Sequence, residues 1–379
     1  MRNKTKKLLF ALFAAICVFL AAAGAADAAV YGDISVIEGE EPDVPALVRY
    51  DFNEESRATV SVLGIPLKNV SVSVFKETEV LAGGQSFGVK LSMHGVRVVG
   101  VGQVKAKGFT FEPAADAGLC AGDIITEADG KTIASAGDLT DIISKSGDTG
   151  VKLRYKRGDT EQETVLYPVK DENGEYKAGL WLKDSVAGIG TVTYISQKDN
   201  SFAGLGHGIC EGDGEKLQPF GEGEVYDAHI TGVKRGKNGE PGELRGYFEN
   251  EPSGVLTDNT VTGVYGRFYE KKDGEPVRIA LKDKVREGNV RILCTVDGKG
   301  VCGYDAKIIK ILSYDTEEKN FIIKITDPVL LEKTGGIVQG MSGSPILQDG
   351  CLIGAVTHVL VNDPTKGYGI FIENMLDKN

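Results

Sequence analysis

The sequence predicts a mainly β chain of several domains. Polar and apolar residues alternate through stretches such as Ala58-Thr59-Val60-Ser61-Val62 and Val70-Ser71-Val72-Ser73-Val74, the signature of half-buried strands. Long helical periodicity is scarce, and after residue 170 short apolar runs follow one another between Gly and Asp turns. Glycine makes up 50 of 379 residues, near twice the usual ~7%, with no three-residue collagen repeat. At 41% hydrophobic residues the chain is too apolar for disorder and has enough to fill sizeable cores. The net charge of −11 argues against a general nucleic-acid binder.

Residues 1–29 read as a signal peptide or membrane anchor. Arg2, Lys4, Lys6 and Lys7 precede an apolar run from Leu8 to Ala23, and Ala25-Ala26-Asp27-Ala28-Ala29 gives an A-x-A-like end. The run is short of the ~20 residues of a spanning helix. Without this basic segment the rest of the chain is formally about −14, an exported, soluble body. The cysteines beyond it (Cys120, Cys210, Cys294, Cys302, Cys351) are odd in number and irregular in spacing, which is no disulfide framework. Cys294 and Cys302 flank an Asp297-Gly298 turn and could face each other across a hairpin; small buried apolar residues are the plainer reading. Residues 30–80 form an N-terminal β segment, closed by Gly83-Gly84.

Residues 81–170 read as one compact module. Phe87–Leu91 and Val96–Val101 are strands, and Pro113 opens a short helix where its missing N–H costs nothing. Asp129-Gly130 marks a tight hairpin turn, Asp138–Ser144 a helix with Leu139, Ile142 and Ile143 on one face, and Val151–Tyr155 a strand. The order Phe-Gly-Val, Pro-Ala-Ala-Asp-Ala-Gly-Leu-Cys-Ala-Gly-Asp-Ile-Ile, Asp-Gly resembles bacterial PDZ domains. A PDZ domain binds an extended peptide as an added strand on a sheet edge. By that resemblance the peptide carboxylate sits on backbone N–H groups of Gln85, Ser86, Phe87, Gly88 and Val89, Gly88 allowing close backbone approach.

Residues 171–379 read as an all-β sandwich or barrel carrying the chemistry. The motif Gly335-Gly336-Ile337-Val338-Gln339-Gly340-Met341-Ser342-Gly343-Ser344-Pro345 has the form of a nucleophilic serine turn. Such a serine needs an exposed hydroxyl, a tight turn and N–H groups aimed at the developing oxyanion. By resemblance to chymotrypsin-like G-x-S-G-x-P turns, the N–H groups of Gly340 and Ser342 make the oxyanion hole, and the hairpin through Gln348-Asp349-Gly350 to Val356 follows as in those enzymes. Ser344 is the rival nucleophile, but Pro345 biases it toward extended backbone. The general base is a histidine. His207, in Gly204-Leu205-Gly206-His207-Gly208, is the candidate; His94 reads as a surface residue and His229 as a plain strand position. His358, after the hairpin, falls where the pocket for the substrate side chain is expected. Asp327 of Thr326-Asp327-Pro328 is the candidate acid, with Asp305 and Asp315 as competitors. His207, Cys210 and Asp213 lack any metal-binding spacing, so neither metal nor cofactor is expected.

The whole chain resembles the SpoIVB (stage IV sporulation protein B) serine peptidase family of endospore-forming bacteria. The resemblance is carried by Gly83–Leu91, Ala187-Gly188-Ile189-Gly190-Thr191, Gly206-His207, Thr334–Pro345, Gly354–Val359 and Val361–Thr365. It implies a PDZ-like domain followed by a chymotrypsin-like double β-barrel peptidase, with His207, Asp327 and Ser342 as the triad and Asn259 as a further polar residue important for activity. It further implies secretion into the space between the forespore membranes, self-cleavage near the N-terminus, and cutting of a membrane-bound inhibitory protein. That cut lets an intramembrane protease activate a late sigma factor. The expected partners are thus protein substrates, that inhibitory protein and the chain's own N-terminal segment. The alternatives are a non-catalytic, membrane-tethered PDZ adaptor and an HtrA-like quality-control protease; the latter family places its protease before its PDZ modules.

Overall fold

A computed structural model of the chain describes residues 34–39, 48–54, 57–62, 64–76, 79–211, 216–312 and 317–376. The basic and apolar leader, Asp213 and Asp315 lie outside the described residues.

The alternating N-terminal segment folds as a four-stranded sheet, with Ile34–Ile37 beside Ile65–Phe75, then Arg57–Val62, then Val48–Glu54. Its alternation turns Val36, Ala58, Val60, Val62, Val70 and Val72 to one buried face. The sheet is joined to the C-terminal helix Ile372–Leu376 by a buried contact: Ser35 Oγ donates to Glu373 Oε1 at 2.9 Å. Glu373 is 3% exposed and is held as well by the Lys282 N–H (2.8 Å) and the Lys282 Nζ (3.1 Å).

Two 16-residue strands organise the rest. An outgoing strand, Ser86–Val101, pairs antiparallel with a returning strand, Leu180–Ile195. Over Phe87–Ser92 the outgoing strand is paired on both edges: Gly88 lies opposite Ile189 on one side and Tyr226 on the other. This half is the centre of the first lobe of the C-terminal part. Its pairings close a ring through Glu222–Lys234, Gly254–Thr260, Gly263–Phe268, Ser201–Gly204 and the returning strand. Phe87, Val89, Leu91, Val192, Phe202 and Phe268 pack inside it.

At Gly95 the outgoing strand turns into a second body. Gly95 has φ +96°, and a Cβ there would sit 2.5 Å from the Ile125 carbonyl oxygen, so only glycine fits the crossing. Val96–Val101 then pairs with Ile124–Ile125 and with Leu180–Lys183, and packs with Ile125, Leu139, Leu153 and Leu166. The expected elements are present: a hairpin turn at Asp129-Gly130, and a helix Ala136–Lys145 whose capping box joins Ser135 and Asp138. This second, PDZ-like body, residues 96–183, is therefore inserted between two strands of the first lobe. Phe87–Leu91 is a strand as expected, and its neighbours are the returning strand and Glu222–Lys234; period-2 apolar patterning marks a buried strand but not the sheet that buries it.

The second lobe is a closed six-stranded barrel in the order Gly288–Cys294, Cys302–Ile311, Phe321–Ile325, Lys366–Phe371, Cys351–Val359, Pro345–Gln348. Ile292, Phe321, Ile323, Ile353, Val356 and Phe371 fill it. Cys294 and Cys302 are opposite one another on adjacent strands, as free thiols.

Removing one partner from a buried ion pair leaves an uncompensated charge, at a typical cost of about 3–5 kcal/mol. Glu373→Ala should therefore lower stability to urea by about 3–5 kcal/mol and make the 34–75 sheet the first segment cut by trypsin. The Lys282→Met/Glu373→Leu pair should recover most of the urea stability.

Candidate active site

The serine turn lies where the two lobes meet, and the returning strand holds it. Thr191 Oγ1 donates to the Gly340 carbonyl (2.8 Å), the Thr191 N–H to the Ser342 carbonyl (2.9 Å), and Thr193 Oγ1 to the Gly343 carbonyl (2.8 Å). Both threonines are fully buried. Gly343 has φ +92°, and a Cβ would fall within bonding distance of the Thr191 carbonyl, so the serine turn is pressed against the strand at a place no side chain could occupy. Neither the Gly340 nor the Ser342 N–H is hydrogen-bonded among the described residues. These are the two donors expected of an oxyanion hole. Ser342 Oγ donates to the Thr357 carbonyl at 2.7 Å. Ser344 is fully buried and donates to the Met341 carbonyl at 2.6 Å, which gives it a structural role in the turn.

His207 follows Leu205 and Gly206, both at positive φ (+66° and +67°). The tight turn brings Gly206 against Thr357. His207 Nδ1 lies 2.8 Å from the Gly208 carbonyl. A carbonyl only accepts, so Nδ1 carries the hydrogen and Nε2 keeps its lone pair. Burial pushes the imidazole pKa below its ordinary 6.5, opposed by Gly208 and by the charge of Glu318, so the ring is neutral at pH 7. Asn259 clamps the segment after His207: its Oδ1 accepts the Ile209 N–H (2.8 Å), and its Nδ2 donates to the carbonyls of Ile209 (2.8 Å) and Gln218 (3.1 Å).

His358 faces His207, with ring centroids 4.6 Å apart and planes inclined by 34°. Its Nδ1 is buried without a partner. Burial, then the neighbouring His207, then Lys319 push its pKa down to about 4. Ser342, His207 and His358 line one cleft of about 400 Å³, whose far wall is Val186–Gly190 of the returning strand. Cys210 lines it too, with a thiol pKa raised by burial, which makes it a poor nucleophile.

Asp327 is not brought to this cleft. Its carboxylate caps the helix Pro328–Thr334, accepting the N–H groups of Val329 (2.9 Å) and Leu330 (3.0 Å). An Asp-Pro pair satisfies the needs of a helix start, an acceptor at N-cap and a fixed φ at N1, and that use accounts for it here. The Asp305 N–H faces the same carboxylate at 3.4 Å, on the same side of the barrel. The Gly208 carbonyl takes the tautomer-fixing place given to Asp327, and no pattern of side chains could have announced a main-chain group. His229 pairs with Glu249 at the surface (2.8 Å), and exposed His94 packs beside Gly221.

Gln85–Val89 likewise offers no peptide edge, because the strand they begin is paired on both sides; Gly88 makes room for the Phe248 ring, which a Cβ would meet at 2.6 Å. The open edge of the inserted module is elsewhere. Among the described residues Leu180–Lys183 pairs only with the outgoing strand, and a groove of about 690 Å³ separates Leu180–Leu182 from Thr140 and Ile143 of the helix. Trp181 is 68% exposed there. Gly179-Leu180-Trp181-Leu182, a glycine before an apolar strand, was the available sequence signal.

A family model described as SpoIVB peptidase S55 matches residues 174–376, and a PDZ domain model matches residues 62–167. No curated protein matches the chain. Among solved structures, the chain is similar to the PDZ domain of the SdrC-like protein from Listeria monocytogenes at 34% identity, over 24% of this chain and 90% of that one, with a TM-score of 0.20. It is also similar to the inactive form of the Rv3671c protease at 14% identity, over 50% of this chain and 81% of that one, with a TM-score of 0.31. The active form of Rv3671c from M. tuberculosis gives 13% identity, over 50% of this chain and 72% of that one, with a TM-score of 0.31.

Two outcomes follow from these placements. Asp327→Asn keeps the cap acceptor and should leave activity within a few-fold, while Asp327→Ala should cost about 1 kcal/mol of stability; a loss near 10⁴ in kcat for the Asn variant would restore Asp327 as the acid. His358 is neutral in the folded chain down to about pH 4 but titrates near 6.5 when unfolded. Its contribution is full above pH 6.5 and is lost as pH falls toward 4. Urea midpoints of His358→Phe should therefore fall less steeply than wild type between pH 7 and pH 4.5.

Proposed function

The chain belongs to the SpoIVB peptidase S55 family, and on that premise we propose that it is an exported serine endopeptidase of sporulation with Ser342 as nucleophile and His207 as base. The observation that carries the reading is the single cleft holding Ser342, a buried neutral His207 with its Nε2 lone pair available, and two unengaged N–H groups at Gly340 and Ser342.

On this reading, substrate displaces the Ser342 hydroxyl from the Thr357 carbonyl and the hydroxyl turns to His207. Nε2 takes its proton as Oγ attacks the peptide carbonyl, and the N–H groups of Gly340 and Ser342 receive the oxyanion. The Gly208 carbonyl steadies the imidazolium at Nδ1. The proton then passes to the leaving amine, and water releases the acyl group by the same route. Asn259 acts through His207 by holding its loop; His358 walls the cleft beside the base. No metal or cofactor enters these steps.

We propose the wider role on the resemblance to that family. The protein is exported, tethered to or released from the membrane in the space between the forespore membranes, and cleaves its own N-terminal segment. It then cuts a membrane-bound inhibitory protein of an intramembrane protease, which leads to late sigma-factor activation. One observation favours the adaptor alternative: the Ser342 hydroxyl rests on Thr357 rather than on the base.

A serine-directed fluorophosphonate separates the two readings. Labelling should require both Ser342 and His207, and Ser342→Ala should lower kcat about 10⁶-fold for self-cleavage and for substrate alike. Labelling that survives Ser342→Ala, or none in the mature wild-type protein, would overturn the peptidase assignment. The acid limb of kcat/KM should fall at a pH below 6.5, because the base must be neutral and burial lowers its pKa.

A further inference from the structure

The groove of the inserted module and the catalytic cleft share one strand. Leu180–Leu182 line the groove, and Val186–Gly190 line the cleft. Along both stretches the outgoing strand occupies the same edge of the returning strand, and among the described residues the opposite edge is unpaired from Leu180 to Gly190. Of the two strands, the outgoing one takes up the irregularity between the stretches, skipping from Ser92 to Arg97 while the returning strand skips only Asp184. Asp184 Oδ2 accepts the Ala136 N–H at 2.9 Å, so the first turn of the groove helix is fastened to the same strand midway between the two openings.

We propose that the substrate is a polypeptide with a free C-terminal tail seated in the groove beside Thr140 and Ile143, and that the tail fixes where Ser342 cuts. The chain direction supports one occupant for both sites. A tail added antiparallel to the returning strand, with its last residue beside Leu180, runs N-terminally toward Gly190. It therefore presents to Ser342 a bond whose leaving side is the anchored tail. Ser342 is next to Thr191 through the hydrogen bond from the Thr191 N–H. At ~3.3 Å per residue the path from Leu180 to Gly190 is about 30 Å, which sets the cut roughly eight to ten residues before the tail's end. Anchoring makes the second contact intramolecular, so tails of matching length gain in rate without any new catalytic group.

This inference rests on the peptidase reading, and the experiment separates the two. A peptide library of one length with a randomised core is digested with the full chain, and the fragments are read by mass spectrometry as distance from the C-terminus. Cuts should cluster roughly eight to ten residues from a free C-terminus, and C-terminal amidation should lower kcat/KM about tenfold or more. Thr140→Trp, on the exposed face of the helix, should disperse the cuts. Cuts that follow local sequence at any distance from the end would overturn the proposal and leave the peptidase intact. As an arm independent of turnover, Ser342→Ala protein should capture fluorescein-labelled library peptides only when their C-terminus is free and Thr140 is unaltered. Capture indifferent to both also overturns it, whereas failure of cleavage and of fluorophosphonate labelling would strike the peptidase reading instead.

Discussion

The catalytic cleft depends on three buried hydrogen bonds between one strand and one turn. Thr191 and Thr193 bind the carbonyls of Gly340, Ser342 and Gly343 across the junction of the lobes. Each such bond is worth only about 1 kcal/mol net, but leaving its partner unsatisfied in the interior costs about 1–3 kcal/mol. The energetic asymmetry fixes the geometry more than it stabilises the fold. With those three carbonyls tied down, the N–H groups of Gly340 and Ser342 are without partners among the described residues.

The histidine side of the cleft is built on different terms. His207 sits in a turn bent by two consecutive positive-φ residues and clamped by Asn259, and a main-chain carbonyl sets its tautomer. A carbonyl offers no full negative charge, so the imidazolium is stabilised less than it would be by a buried carboxylate. Glu318 is the anionic group whose charge reaches the ring, and it lies on the loop whose carbonyl accepts from Thr357 Oγ1. His207 and His358 cannot both be charged in such proximity, and each is pushed toward neutrality by burial.

Much of this was legible in the residues. The glycines around His207 and Ser342 announce sharp turns, and the alternation at Phe87–Leu91 announces a strand. What the pattern could not convey is which partners a strand takes, because pairing is a property of the whole sheet. Hence the peptide edge expected at Gln85–Val89 is a strand already paired on both sides from Phe87 onward, while the open edge at Leu180–Lys183 passes as ordinary apolar sequence. Asp327 illustrates a second limit: an Asp-Pro pair carries the same letters whether it begins a helix or serves a histidine, and only the hydrogen bonds to Val329 and Leu330 distinguish them.

The second module leaves and rejoins the first lobe at one point. Ser92, where the outgoing strand leaves the lobe, lies directly opposite Ser185, where the returning strand comes back. Their Cα atoms are therefore about 5 Å apart, as in any antiparallel pair. A two-residue turn would close that gap, so residues 93–184 occupy the place of an ordinary hairpin tip. The ring of strands is thus closed without any contribution from the module, whose entry and exit fall at a single point of the lobe.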